Sequence, residues 1–297
     1  MVGCARTGST LLRHVLNRSP RVSVASETHF IEWARREHLD RRLTAARASG
    51  DNADLLAIAN RLHSHQFWAW VPRNFSRDEL VAHLRQTPLT LRGVFELLLI
   101  EYARRRGGVA PGLGVIGEKT PAHLREIPML DAWFPEARFI HTFRDPRGIY
   151  LSELKQLRQG RWGPKAKYPN LPRWLLDPVL APIQLVRTTL AWRRAARVHR
   201  AAQKSLGPRY LLVRFEDLVA DPDRVVRDVC DFIEVPFDGA MLEGTVVVGS
   251  SFEDRRHAGT GFRRDAATRW RAEINPLARI WFSIALAGEL PRFGYRA

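Results

Sequence analysis

Leu11, Leu12, Val15 and Leu16 recur at three- and four-residue spacing, which predicts a helix from about Ser9 until Pro20 forbids its continuation. Val22–Val24 reads as a short strand and Thr28–Arg36 as the start of another helix. From Arg41 to Arg106 the pattern is helical and polar, broken by an aromatic island at Phe67, Trp68 and Trp70 before Pro72. Leu113–Gly117 predicts a strand, and Leu124, Ile127 and Leu130 mark one face of a helix that Pro135 closes. Ala137–Phe143 is the strongest strand pattern, a helix starts near Arg147, and residues 183–205 return to helix. Tyr210–Phe215 is a further strand, and Asp221-Pro222 opens a helix carrying Val225, Val226, Val229 and Phe232. Strands alternating with helices imply an α/β fold with a parallel sheet covered by helices on both faces. No repeat or linker marks a second domain, so one domain over residues 1–297 is expected. Residues 160–182, with prolines and Trp162, Tyr168 and Trp174, read as an insertion over the ligand side.

The formal charge of +16 and a pI near 11 call for an anionic partner: nucleic acid, a membrane surface, or a small phosphorylated or sulfated ligand. Five of the 47 basic residues are lysines, a skew that reflects codon usage as much as a partner. The arginines are scattered along helical segments without a basic tail, so nucleic acid is not the expected partner. Cys4 and Cys230 are too few for a disulfide framework or a cysteine-based zinc site, which points to a reducing cytoplasm. The apolar stretches Leu175–Val186 and Ile280–Leu286 are too short or too interrupted to span a bilayer; either can serve as an interfacial or a core helix. Val2-Gly3-Cys4 is a meagre central strand, so the natural start is expected to lie upstream.

Gly3-Cys4-Ala5-Arg6-Thr7-Gly8-Ser9-Thr10 joins that strand stub to the first helix through a hydroxyl-rich turn. The free N–H groups and the positive dipole end of a helix's first turn hold a phosphate, and a glycine lets backbone approach closely. Ser9 stands where a nucleotide-hydrolysing P-loop carries lysine, which argues against ordinary ATP or GTP chemistry. Arg6 offers a planar fork to a phosphate or sulfate. A plain strand-to-helix turn with Ser9 near the cap is the alternative.

Arg6-Thr7-Gly8-Ser9-Thr10-Leu11-Leu12, followed by Ser26-Glu27-Thr28 and then Phe143-Arg144-Asp145-Pro146-Arg147, resembles sulfotransferases that use 3′-phosphoadenosine 5′-phosphosulfate (PAPS). Within that family the segments look most like the tyrosylprotein sulfotransferase branch, which reads R-S-G-T-T-L and then E-E-T. The resemblance implies a P-loop-like fold and a metal-free transfer of a sulfuryl group to a hydroxyl acceptor. It makes residues 6–10 the 5′-phosphosulfate motif, and Arg144 with Ser152, eight positions on, the 3′-phosphate motif. A further arginine that the family can carry twelve residues after the first is replaced here by Gln156, beside Lys155.

Glu27, 19 residues after Gly8 as in the tyrosylprotein branch, is the implied base, a carboxylate that can take a hydroxyl proton if partial burial raises its pKa. His29 is the rival base, since many small-molecule sulfotransferases use histidine; His141 is read at another strand end. A helix-start charge next to a Thr28 or Ser26 cap is the structural alternative for Glu27. Lys119 is the implied contact to charge developing in the transition state, the alternative being a surface pair with Glu118. For Arg144 the alternative is a pair with Asp145 or a neighbouring acid. Ser251 and Arg269, in the segments Ser250-Ser251, Arg255–Gly261 and Thr268-Arg269-Trp270, resemble a closing segment that grips the donor, and Phe215 holds an aromatic position near the nucleotide. The acceptor pocket is expected from 37–106 and 157–205, with the acceptor a small molecule, sugar, lipid or peptide. An atypical P-loop kinase or NTPase, or a non-catalytic protein binding anions or nucleic acid, are the competing functions.

Overall fold

The computed structural model describes residues 1–64, 71, 75–106, 114–159, 173–243 and 262–296, with side chains from 178 onward in the helix that starts at 173. The chain divides into two compact units, one formed by 1–15 with 137–297 and the other by 16–136.

The first unit begins with β1 (Val2–Gly3) and α1 (Ser9–Leu16). The second unit starts from β2 (Val22–Ala25), fully buried, which pairs in parallel with a later strand. Helices α2 (Phe30–Arg36), α3 (Leu39–Ser49), α4 (Asn52–Ser64), α5 (Arg77–Arg85) and α6 (Leu91–Arg105) follow. The polar pattern was legible because each helix buries only one stripe, for example Leu55, Ile58, Ala59 and Leu62 on α4. Ser76 and Glu79 form a reciprocal capping box that fixes where α5 begins. The partner of β2 is β3 (Val115–Glu118), with Val22 opposite Val115 and Ala25 opposite Glu118. A 3₁₀ turn (Pro121–Glu126) and α7 (Ile127–Trp133) close this unit.

In the first unit, β4 (Phe139–Phe143) is the middle strand of a parallel ladder, with β1 on one side and β5 on the other. The stub β1 therefore flanks the ladder of its unit, where a central strand was expected. All five residues of β4 are buried, as befits a parallel strand covered on both faces. Next come α8 (Pro146–Arg158) and α9 (Arg173–Leu206). Helix α9 runs through Pro178 and Pro182, so it begins inside the stretch 160–182 that reads as a helical or loop insertion ahead of the helix at 183–205. The two prolines are four residues apart, so both lost backbone donors fall on one side of the helix. After β5 (Tyr210–Arg214) come α10 (Phe215–Ala220) and α11 (Pro222–Phe232), the latter capped by Asp221. Short helices α12 (Asp265–Thr268) and α13 (Trp270–Glu273) lead to α14 (Pro276–Ala285). Among the described residues no helix is long and apolar enough to cross a membrane.

Candidate active site

The turn after β1 is held from within its own unit. Arg6 takes a left-handed backbone (φ 68°) and Gly8 another (φ 83°), so the chain reverses tightly into α1. A β-carbon on Gly8 would come within 2.5 Å of the Phe215 ring, which explains why glycine stands there. Thr7 is buried; its hydroxyl donates to the Cys4 carbonyl at 2.8 Å and shares a 2.7 Å hydrogen bond with the Thr142 hydroxyl on β4. Ser9 and Thr10 are the first two residues of α1, so the backbone donors of that first turn begin where the sequence placed the cradle.

Arg144 follows β4 and lies directly against this turn. Its guanidinium donates to the Arg6 carbonyl at 3.0 Å and the Ala266 carbonyl at 2.8 Å, and stacks 4.1 Å above the Phe215 ring. Gly148 makes room for it, since a β-carbon there would meet Arg144 Nε at 2.9 Å. The expected alternative, a pair with Asp145, is not formed: both Asp145 oxygens accept from the Arg147 fork at 2.9 and 2.8 Å. Among the described residues no carboxylate lies within ion-pair distance of Arg144, and its Nε is a buried donor without a hydrogen-bond partner. Burial pulls this guanidinium down to about 10. Ser152, on α8, accepts from Arg6 Nε at 2.8 Å, so the two expected phosphate motifs meet through one hydrogen bond. Gln156 is buried in the same helix.

In the second unit the ends of β2 and β3 carry the other set of groups. Glu27 follows β2, and Lys119 follows β3. Lys119, buried to 1% exposure, donates to Glu27 Oε1 at 2.6 Å, and His29 Nε2 donates to Oε2 at 3.3 Å. The surface pair of Lys119 with Glu118 is thus excluded. Burial acts to raise the Glu27 pKa, but the His29 hydrogen bond and the Lys119 charge outweigh it and hold the carboxyl at about 2. The expected upward shift is corrected: a carboxylate this close to a buried ammonium stays ionised. Thr28 and His29 lie before α2 rather than in it; His29 is its cap residue, with left-handed backbone (φ 48°) and no side-chain cap bond.

A model of the sulfotransferase family matches residues 1–239. The chain belongs to the sulfotransferase family. It is therefore a PAPS-dependent transferase by class. Among solved structures, the sulfotransferase domain of the Synechococcus PCC 7002 olefin synthase is 22% identical with a TM-score of 0.55, the alignment covering 98% of this chain and 94% of that one. The sulfotransferase domain from the curacin biosynthetic pathway is 18% identical with a TM-score of 0.57, covering 99% and 96%. Both likenesses bear on the fold, which is α/β with parallel sheets. No curated protein matches the chain.

For a sulfotransferase, the orphaned Nε of Arg144 is the feature that fits an anionic donor, because a buried charged donor lacking a partner is costly unless a ligand supplies one. Phe215 is the first residue of α10 rather than the last of β5, and meets both Gly8 and Arg144. Arg269 follows α12, whose Ala266 carbonyl accepts from Arg144, and its charge acts on Arg144; its own side chain pairs with Asp265 at 3.8 Å and Glu273 at 3.4 Å. Ser251, the loop 255–261, the aromatic island at 67–70 and the side chains of Trp162, Tyr168 and Trp174 lie outside the described residues. His141 is no strand-end group; it sits within β4, wholly buried, bonded to the Tyr210 hydroxyl at 2.6 Å, and burial drives its pKa down to about 3.

Sequence reasoning missed an ion cluster around the buried His123. His123, fully buried, lies 3.2 Å from a Glu32 oxygen and 3.3 Å from a Glu118 oxygen. Burial opposes its protonation, yet Glu118 and Glu32 prevail and raise its pKa to about 9. The other Glu118 oxygen accepts from the hydroxyls of Thr28 (2.8 Å) and Thr120, and Thr120 Oγ1 accepts from the Thr28 N–H at 2.9 Å. The loop 27–29 is thereby pinned to 118–120. The sequence signal for this was Glu118, for which the adjacent Lys119 was the alternative partner but which turns to His123 instead.

Proposed function

We propose that residues 1–297 act as one sulfotransferase domain that moves the sulfuryl group of PAPS to a hydroxyl acceptor. The observation that carries this reading is Arg144: a buried guanidinium with an unpartnered Nε, beside the Arg6–Ser152 hydrogen bond and a glycine-bearing helix start. In the proposal, the N–H groups and hydroxyls of Thr7 to Thr10 hold the 5′-phosphosulfate. Arg6 joins them there, while Arg144 and Ser152 hold the 3′-phosphate, with Phe215 against the nucleotide and Ser251 and Arg269 closing over the donor.

Glu27 removes the acceptor proton and Lys119 balances charge on the leaving group. The ion pair between them supports a coupled step: an ammonium drawn to an anionic oxygen leaves Glu27 with its burial uncompensated, so the carboxylate becomes a stronger base as charge develops. Glu27 at its spacing from Gly8 also supports the finer likeness to the tyrosylprotein branch. The acceptor pocket is assigned to 37–106 and 157–205.

Incubation with radiolabelled PAPS and a mixed acceptor extract tests the reading. Label transferred to a hydroxyl compound supports it; ATP hydrolysis without sulfuryl transfer would replace it with the kinase or NTPase alternative.

A further inference from the structure

Two helices of the first unit turn apolar faces outward side by side. On α9, Val179, Ile183, Val186 and Leu190 recur at four- and three-residue spacing and are all exposed. On α14, Leu277, Ile280, Trp281 and Ile284 repeat the pattern, Leu277 and Ile284 being 76% and 74% exposed. Among the described residues every large exposed apolar side chain except Leu56 belongs to these two rows. They are not the leftovers of a poor core, because each helix also buries an inner face, Trp192 on α9 and Phe282 on α14. Trp281 Nε1 donates to the Thr189 hydroxyl at 3.0 Å and Arg193 donates to the Ala285 carbonyl, so the rows are joined into one groove of about 710 Å³.

From Pro178 onward the charge that α9 brings to this face has one sign, although Arg200 lies 4.0 Å from Glu289. From 178 to 206, α9 carries Arg187, Arg193, Arg194, Arg197, Arg200 and Lys204 and no acidic residue. The exposed row Val179–Ile183–Val186–Leu190 continues on the same side as Arg194 and Arg197, both exposed. Arg279 is exposed on α14. A contiguous apolar patch of this kind marks a docking surface, and an apolar stripe followed by arginines, with a tryptophan whose N–H is already bonded, is the make-up of a helix lying in a bilayer's interface.

We propose that the α9–α14 face docks on an anionic lipid surface, its apolar rows entering the boundary between headgroups and acyl chains and its arginines meeting the anionic headgroups. A second copy of the chain is the less favoured occupant, since a symmetric pairing would lay one arginine row near its equivalent. A lipid surface supplies the missing negative charge. This inference does not rest on the proposed reaction.

Flotation of the full chain with vesicles tests it. The protein is expected to float with vesicles of phosphatidylcholine and phosphatidylglycerol, to stay behind with phosphatidylcholine alone, and to be released in part by added salt. The double variant Ile183→Glu/Ile284→Glu, placed at exposed positions so that circular dichroism and Tm stay as in the wild type, should lower the partition coefficient about tenfold or more. Arg194→Glu/Arg197→Glu should weaken binding and flatten its salt dependence. Wild-type protein that floats with neither vesicle, or a double variant that partitions like the wild type, overturns the proposal. So does a concentration-dependent dimer, abolished by Ile183→Glu, in a protein that ignores vesicles: the occupant is then a second copy.

Discussion

Glu27 Oε1 and the Lys119 ammonium are 2.6 Å apart, and the lysine is the more buried of the two. A buried cation therefore holds a partly exposed carboxylate in its ionised form. If Glu27 is the base, Glu27→Gln keeps its shape and most of its hydrogen bonding but removes the basic site, so turnover should fall roughly 10²–10⁴-fold with donor binding little changed. His29→Asn should be mild. Steady-state kinetics with both variants decide the matter: inactivity of His29→Asn beside a near-normal Glu27→Gln would move the base to histidine.

The same pair sets a pH dependence. The folded Glu27 pKa of about 2 lies below its ordinary 4.5, so the pair's contribution to stability is present above pH 4.5 and is lost as pH falls through about 2. Above pH 4.5 the wild-type kcat/KM profile should show no step from Glu27. In Lys119→Met the remaining burial raises the carboxyl, and an acid limb should appear at higher pH on top of the lower rate. An unchanged profile shape in Lys119→Met would break the link between the two residues.

Arg144→Ala should weaken adenosine 3′,5′-bisphosphate by about 1.5–3 kcal/mol, the worth of a charge-assisted contact, and leave AMP nearly unaffected. Arg144→Lys should not restore binding, because an ammonium cannot reproduce a planar fork stacked on Phe215. Titration calorimetry reads both effects. Equal losses for the two nucleotides would remove Arg144 from the 3′-phosphate.

Gly8→Ala is expected to lower Tm and abolish donor binding, since the new methyl meets Phe215 and the backbone sits at φ 83°. Adding Phe215→Ala should recover part of the lost stability, leaving the backbone strain, so the pair should be non-additive in a thermal double-mutant cycle. Additive changes would mean that the ring is not what excludes the methyl.

His123 predicts an alkaline loss of stability. Its folded pKa of about 9 lies above its ordinary 6.5, so the cluster's stabilisation is complete below pH 6.5 and disappears as pH rises through about 9. Tm of the wild type should decline across that window. His123→Gln should start lower and lose this slope; a slope retained in the variant would assign it to other groups.

The strands and the phosphate turn could be read from sequence because apolar runs, Gly8 and the prolines at 20, 135, 146 and 222 are local signals. The pairing of charges could not. Asp145 sits next to Arg144, yet Pro146 starts a helix that brings Arg147 back onto the carboxylate. Glu118 sits next to Lys119, but alternation along the strand's end sends one side chain to His123 and the other to Glu27. The direction of the Glu27 shift was misread for the same reason, since it depends on which cation lies near rather than on burial alone. Helix α9 begins ahead of its expected start because Pro178 and Pro182 are local helix-breaking signals, whereas the packing that holds a long helix is not local.

Strand β1 meets β4 over only two residues, Val2 opposite His141 and Gly3 opposite Thr142. So short a zipper gives little protection against local opening, and much of the turn's anchorage passes to the Thr7–Thr142 hydroxyl bond and the Arg144 contact with Arg6. A donor gripping that turn would act as additional rungs: the amides of residues 5–10 should exchange fastest in the free protein and slow in proportion to nucleotide concentration, making the first strand's docking a gauge of occupancy.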